Sequence, residues 1–353
     1  MAEFKLPPTE ITNIEEAKEI PWGVQHVNAS QFWDKGTGKE VVVAVLDSGC
    51  DKDHPDLKGK ILDGRNFTYD YDQDILNYSD NRGHGTHVAG TIAGIKDGKG
   101  IVGVAPDVKL IIGKVLNAAG GGDYDGIING IRWATKWKGP NGEKVRVISM
   151  SLGGPYDIPE LYAAVKEAVD NDIVVVCAAG NAGDGNSDTN EYAYPGAYDC
   201  VVEVGAVGRD NQLSTFSNTN NRIDLVAPGE NILSSVPGGA YAEMTGTSQA
   251  APHVAGAVAL IISAYEKVGQ TLTEPEIFEL LLKHIKPLNG HKNGFGHGVL
   301  DMSMNAEGIK PAENKHEPLI ISKENGFFIN IGPFETNEKA IEFFSKINLT
   351  NLK

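Results

Sequence analysis

The sequence is short of the features that define several large protein classes. Its first residues, MAEFKLPPTEITNIEE, carry neither a cationic start nor the roughly 7–15 apolar residues of a secretory leader. No stretch approaches the roughly 18 consecutive apolar residues of a membrane span. Cysteine is scarce: Cys50, Cys177 and Cys200 are odd in number and far apart. Without an export signal they read as free thiols, not as a disulfide framework or metal cluster, and the expected compartment is the cytoplasm. Neither C-x-x-C nor H-E-x-x-H occurs, so no catalytic zinc is expected. Positive charge is also in deficit. With 31 Lys and Arg against 47 Asp and Glu, the formal net charge is −16, which opposes a nucleic-acid or anionic-membrane partner.

Phosphate-binding loops are missing in context. GTGK at 36–39 lacks the first glycine of a P-loop and precedes a strand-like run instead of following one. Gly98, Gly100 and Gly103 satisfy G-x-G-x-x-G, yet a helix-like segment precedes them, so no nucleotide is expected. The 42 glycines exceed the usual roughly 7% but follow no period, which excludes collagen and low-complexity chains.

What is present is a chain of 353 residues, 41% hydrophobic, long enough to bury a large core without disulfide staples. Beginning with the apolar run VVVAVLD at 41–47, strand-like and helical patterns alternate. THVAGTIAG, YDGIINGIRWATKW and IPELYAAVKEAVDND read as helices between the strands VKLIIGKVL, VRVISMSL, IVVVCAAG and VVEVGAV. This alternation predicts an α/β fold, a mainly parallel sheet with helices on both faces. A long buried helix is expected at APHVAGAVALIISAYEKV, followed by another at TEPEIFELLLKHI. The reading divides the chain into an N-terminal extension (1–20), a main domain (21–309) and a C-terminal linker with a β-α unit (310–353).

Three short segments carry chemistry. Asp47-Ser48-Gly49 ends the first strand, His84-Gly85-Thr86-His87 opens a helix, and Gly246-Thr247-Ser248 precedes the long apolar helix. Taken singly they are an ordinary turn, a histidine pair without a third metal ligand, and a helix N-cap. Taken together they supply a nucleophile, its general base, and a carboxylate to orient that base. The helix start at Ser248 also offers N–H groups to an oxyanion, and Asn181, in AAGN after a strand, is a second donor.

Asp47-Ser48-Gly49, His84-Gly85-Thr86-His87-Val88-Ala89-Gly90 and Gly246-Thr247-Ser248-x-Ala250-Ala251-Pro252-His253 resemble the three signatures of the subtilisin family. The chain order Asp, His, Ser is also that of subtilisin. The resemblance spans roughly residues 21–305. It implies a three-layer α/β fold and a serine endopeptidase of broad specificity. Ser248 would be the nucleophile, His84 the base, Asp47 its partner and Asn181 an oxyanion donor. Gly120, Gly121 and Gly122, with Ser151, Leu152 and Gly153, would form the two backbone edges that sandwich an extended peptide. The small residues around the first pocket suit a large apolar P1 side chain. The resemblance further implies Ca2+, with Asp56 and Asp97 and carbonyls of the loop 95–101 as ligands. Lys18 stands where the family often has a glutamine ligand. Gln249 replaces the methionine that usually follows the serine.

The acidic balance, the short N-terminal extension, and the cysteines in SGC and VVVCAAGN are similar to the bacterial intracellular subtilisins. That subfamily implies a cytoplasmic homodimer made as a zymogen, with its N-terminal segment as inhibitor. Here Phe4-Lys5-Leu6-Pro7-Pro8 matches the inhibitory motif only at Leu6 and Pro7. The segment 326–353 resembles half of a peptidoglycan-binding SPOR repeat, although packing on the body or a dimer contact is the favoured expectation.

Overall fold

In the computed structural model, residues 20–305, Ile309 and the backbone of two strands between 319 and 330 are described. The stretch containing Leu6 and Pro7, Lys18, and the helix expected after residue 334 lie outside the described residues.

Along the chain run α1 (Trp22–His26), β1 (Val42–Asp47), β2 (Ile61–Asn66), α2 (His84–Ala93), β3 (Lys109–Lys114) and α3 (Tyr124–Lys136). They are followed by β4 (Val145–Met150), α4 (Pro159–Val169), β5 (Val174–Ala178), β6 (Val202–Val207), β7 (Leu225–Pro228), β8 (Ile232–Val236) and β9 (Ala240–Met244). Next come α5 (Thr247–Glu266), α6 (Glu274–Lys283), β10 (Ile285–Lys286), α7 (Lys292–Phe295) and β11 (Val299–Leu300). Nine strands form one sheet in the order β10-β11-β7-β6-β5-β4-β1-β3-β2, parallel throughout except for the β10–β11 pair.

The apolar runs are continuous because the sheet is covered on both faces. Along β1 the side chains alternate between two cores. Val43 and Val45 join the core formed with α2 and α5, while Val42, Ala44 and Leu46 join that of α3 and α4. The result is the mainly parallel, three-layer α/β architecture expected from the sequence. The small residues of α5 allow close approach: a Cβ on Gly256 would lie 2.6 Å from Val104 Cβ.

Strand order reverses at β1, whose neighbours are β3 on one side and β4 on the other. In open α/β sheets ligands bind at the carboxyl ends of strands beside such a reversal. Asp47 is the last residue of β1, and Ser151 directly follows β4. The chain from Lys310 onward is a second compact unit, in which β12 (Leu319–Lys323) and β13 (Gly326–Asn330) pair as an antiparallel hairpin.

Candidate active site

β1 delivers the Asp47 carboxylate to the carboxyl end of the sheet's strands, and α2 begins with His84 beside it. His84 Nδ1 lies 2.8 Å from Asp47 Oδ1, with Asp47 fully buried. The same oxygen accepts the Ser48 N–H at 2.7 Å, while Asp47 Oδ2 is buried and has no hydrogen-bond partner. Burial pulls the His84 pKa down, but the charge and hydrogen bond of Asp47, with the charge of Asp80, outweigh it. The net result is a pKa raised above 6.5. With Nδ1–H given to the carboxylate, Nε2 is left as the proton acceptor.

Ser248 is the second residue of α5. Pro252 stands four residues on and has no N–H, so the Ser248 carbonyl lacks its usual helical donor. Ser151 Oγ fills that role, donating to Ser248 O at 2.8 Å, and Ser248 Oγ donates to Ser151 O at 3.2 Å. This reciprocal pair ties the serine to the end of β4.

Asn181 follows β5 and is held by Thr247, a residue not singled out by its sequence. Asn181 Oδ1 accepts both the Thr247 N–H and its hydroxyl at 2.9 Å, while Thr247 Oγ1 accepts the Gly180 N–H at 3.0 Å. Because Oδ1 is engaged, Nδ2 is the end of the amide left to donate elsewhere. A Cβ at Gly246 would sit 3.1 Å from that nitrogen, so glycine keeps the approach clear.

Ser248, Thr247, Asn181, Ser151, Leu152 and Gly153 border one cavity of about 630 Å³, which Gly120 also touches. Gly121 and Gly122 lie beside it in the chain. The Gly121 carbonyl accepts the Asn117 N–H at 2.7 Å, and a Cβ on Gly122 would meet the Val115 carbonyl at 2.5 Å. Gly154, Ala178 and Ala193 also line the cavity. Glu191 also borders it, with Oε2 turned to the Thr219 N–H at 3.0 Å.

The other two signature histidines are spent on structure. His87 Nε2 meets the carbonyls of Ile232 and Ala242 at 2.8 and 3.2 Å, and burial lowers its pKa to about 3. His253 Nδ1 meets the Gln249 carbonyl at 2.8 Å, and burial lowers its pKa to about 4.

Asp56 and Asp97 lie away from this cavity. Among the described residues, no three His, Cys, Asp or Glu side chains are grouped so as to hold a metal. Asp56 is buried, and its Oδ2 accepts the Ile101 N–H at 3.0 Å and the Ser235 hydroxyl at 3.4 Å. Its Oδ1 faces Gly100, where a Cβ would collide with it. Burial raises its pKa; the Ile101 N–H and the charge of His54 pull the other way and leave it raised. Asp97 is exposed, and its Oδ1 accepts the Lys99 N–H at 2.9 Å. Carboxylate and loop-carbonyl oxygens are the type of donor that a hard cation takes.

Comparison with known proteins matches most of the chain to one family. Residues 38–298 match the family described as "Subtilase family". An "Intracellular serine protease" of Paenibacillus polymyxa is 52% identical over 296 residues, 84% of this chain and 89% of that protein. The "Major intracellular serine protease" of Bacillus subtilis is 50% identical over 319 residues, 89% of this chain and 98% of that protein. "Subtilisin E" of the same organism is 40% identical over 294 residues, 83% of this chain and 73% of that protein.

Proposed function

The chain belongs to the subtilase family and is a subtilisin-like serine protease, and from that premise we propose an intracellular endopeptidase of broad specificity acting through Asp47, His84 and Ser248. What supports the reading is the buried Asp47–His84 pair at the carboxyl end of β1 together with Ser248, tied to Ser151 at the end of the neighbouring strand β4 and bordering one cavity with Asn181.

Ser248 Oγ leaves the Ser151 carbonyl, gives its proton to His84 Nε2 and attacks the scissile carbonyl carbon. Negative charge develops on the carbonyl oxygen, where Asn181 Nδ2 and the Ser248 N–H donate to it. The imidazolium formed at His84 is stabilised by Asp47 and then protonates the leaving amine. Water, activated by the same Nε2, hydrolyses the acyl-enzyme and restores Ser248. The peptide lies extended between residues 120–122 and 151–153, bonded mainly through its backbone, which favours breadth over sequence selectivity. The apolar lining residues Leu152, Ala178 and Ala193 suit a large apolar P1 side chain.

Calcium, when bound, would be held by Asp56, Asp97 and carbonyls of the loop 95–101, and would stabilise that loop. If so, Tm rises with added calcium, and Asp56→Ala removes most of the rise. Residues 1 to about 20 act as an inhibitory propeptide, and the protease is cytoplasmic and homodimeric. These last readings rest on the resemblance to the intracellular subtilisins.

The test is hydrolysis of a peptide anilide with an apolar P1 residue, comparing the full chain, a version starting near Pro21, and Ser248→Ala. A fast truncated form, a slow full chain and an inactive Ser248→Ala support both triad and autoinhibition. Equal rates for the first two remove the zymogen. Inactivity of all three, though folded, removes the protease mechanism.

A further inference from the structure

We propose that Asp80 is a positioning residue that locks His84 against Asp47, clamping the peptides on both sides of the pair with a single carboxylate. Asp80 lies four residues before His84, in the loop leading into α2, and is partly buried. Its Oδ1 accepts the Ser48 hydroxyl at 2.9 Å, the Arg82 N–H at 3.0 Å and the Gly83 N–H at 2.8 Å. Its Oδ2 accepts the Thr86 N–H at 2.9 Å and the Thr86 hydroxyl at 2.6 Å. Ser48 Oγ in turn accepts the Gly85 N–H at 2.9 Å. Ser48 follows Asp47, and Gly83 and Gly85 flank His84, so the bonds close a ring around the pair without touching either ring or carboxylate.

Two further observations show that this ring is built and not incidental. A Cβ on Gly85 would overlap the Gly49 carbonyl, so the start of α2 and the end of β1 are in direct backbone contact. The buried Lys114 Nζ donates to the Ser48 carbonyl at 2.9 Å and pairs with Asp70 at 3.0 Å, holding the same residue from behind. A carboxylate that accepts several charge-assisted bonds is a stiff joint, because each bond is stronger than its neutral counterpart. Stiffness matters here: displacing a base by about 1 Å can cost about a hundredfold in rate.

The charge of Asp80 acts in the same direction as its geometry. The charged or titratable groups facing His84 are Asp47 and Asp80, which favour the imidazolium, and Arg82 and the neutral, buried His87. Cys50 lies nearby, but burial pushes its thiol far up, so it stays neutral. Asp80 thus stabilises the imidazolium that forms as Ser248 attacks.

This inference rests on the proposed triad, and the test separates the two. Activity of the wild type on the peptide anilide and inactivity of Ser248→Ala establish Ser248 as the nucleophile, whatever Asp80 does. Asp80→Asn keeps an acceptor for the three Oδ1 donors but removes the charge and turns an NH2 toward Thr86. It is expected to lower kcat about tenfold with KM unchanged within about threefold, and to move the acid limb of kcat/KM to lower pH. Asp80→Ala is expected to lose about a hundredfold in kcat. Folded variants with wild-type kcat and an unmoved acid limb would overturn the proposal, as would a change confined to KM. If neither Asp80 variant folds, Ser48→Ala decides, since it opens the ring and leaves the bonds of Asp80 to Gly83 and Thr86 in place. A severalfold loss in kcat at constant KM supports the clamp, and wild-type kinetics refutes it.

Discussion

Replacing Glu203 by glutamine should stabilise the protein increasingly as pH rises. Glu203 lies in β6 and is fully buried. Oε1 accepts the Asn220 side-chain amide at 3.1 Å, while Oε2 has no hydrogen-bond partner. Asp224 adjoins it, accepting the Glu203 N–H at 2.9 Å. Burial pushes the Glu203 carboxyl from 4.5 up to about 8; Asn220 opposes the shift and the charge of Asp224 adds to it. The folded protein therefore holds Glu203 protonated at pH 7, whereas the unfolded chain releases that proton above about 4.5. For a group raised in this way, its contribution to stability is complete below 4.5 and is lost as pH climbs toward 8. Each pH unit inside that window costs about 1.4 kcal/mol, so between pH 5 and 7 the wild type should lose about 2–3 kcal/mol that glutamine does not. Glutamine keeps the volume and the acceptor for Asn220. The assay is urea unfolding at pH 5 and 7 in EDTA, with both proteins carrying Ser248→Ala to stop self-digestion. A stability difference between Glu203→Gln and its parent that stays constant across this range would refute the reasoning.

Three other predictions concern the reaction. Asn181→Ala should lower kcat by about 10²–10³ with KM nearly unchanged, the range known for the equivalent asparagine of subtilisin, of this same family; steady-state kinetics showing most of kcat retained would remove the amide from the oxyanion site. Because the His84 pKa is raised, the acid limb of kcat/KM should fall at a pH above 6.5, and a limb below 6.5 would contradict the Asp47–His84 coupling. Dilute peroxide should leave activity largely intact and should inactivate Gln249→Met, since thioethers beside a nucleophile oxidise readily. Met244, whose Sδ is 3.9 Å from Gln249 Nε2, is the neighbouring thioether; it is only 6% exposed, so rapid wild-type loss would point to it.

The layered fold was legible because its apolar runs are long and flanked by helical periodicity, and runs such as VVVAVLD have no solvent face to interrupt them. The candidate reacting groups were legible for a different reason. A nucleophile, a base and its carboxylate each need a particular side chain beside a particular backbone turn, so the constraint stays within a few consecutive residues. Thr247 was hidden inside such a motif, since a threonine at a helix start reads as an ordinary cap, and nothing local indicates that its hydroxyl orients Asn181.

Other features depended on segments far apart in the chain. Glu203 in VVEVGAV looks like a polar residue on the open side of a strand; only a sheet covered on both faces makes it a buried acid. Lys114 ends a strand like any surface lysine, yet it is fully buried and bonded to Ser48, Leu116 and Asn81. Asp80 sits in a polar loop, SDNRG, with no periodic signal at all. By itself the sequence determined the layers, the strand and helix succession, and which residues are chemically able to react. Tertiary structure alone decided how those residues are held and what charge the buried groups carry, because hydrogen-bond partners and desolvation depend on neighbours brought together by folding, not on neighbours in the chain.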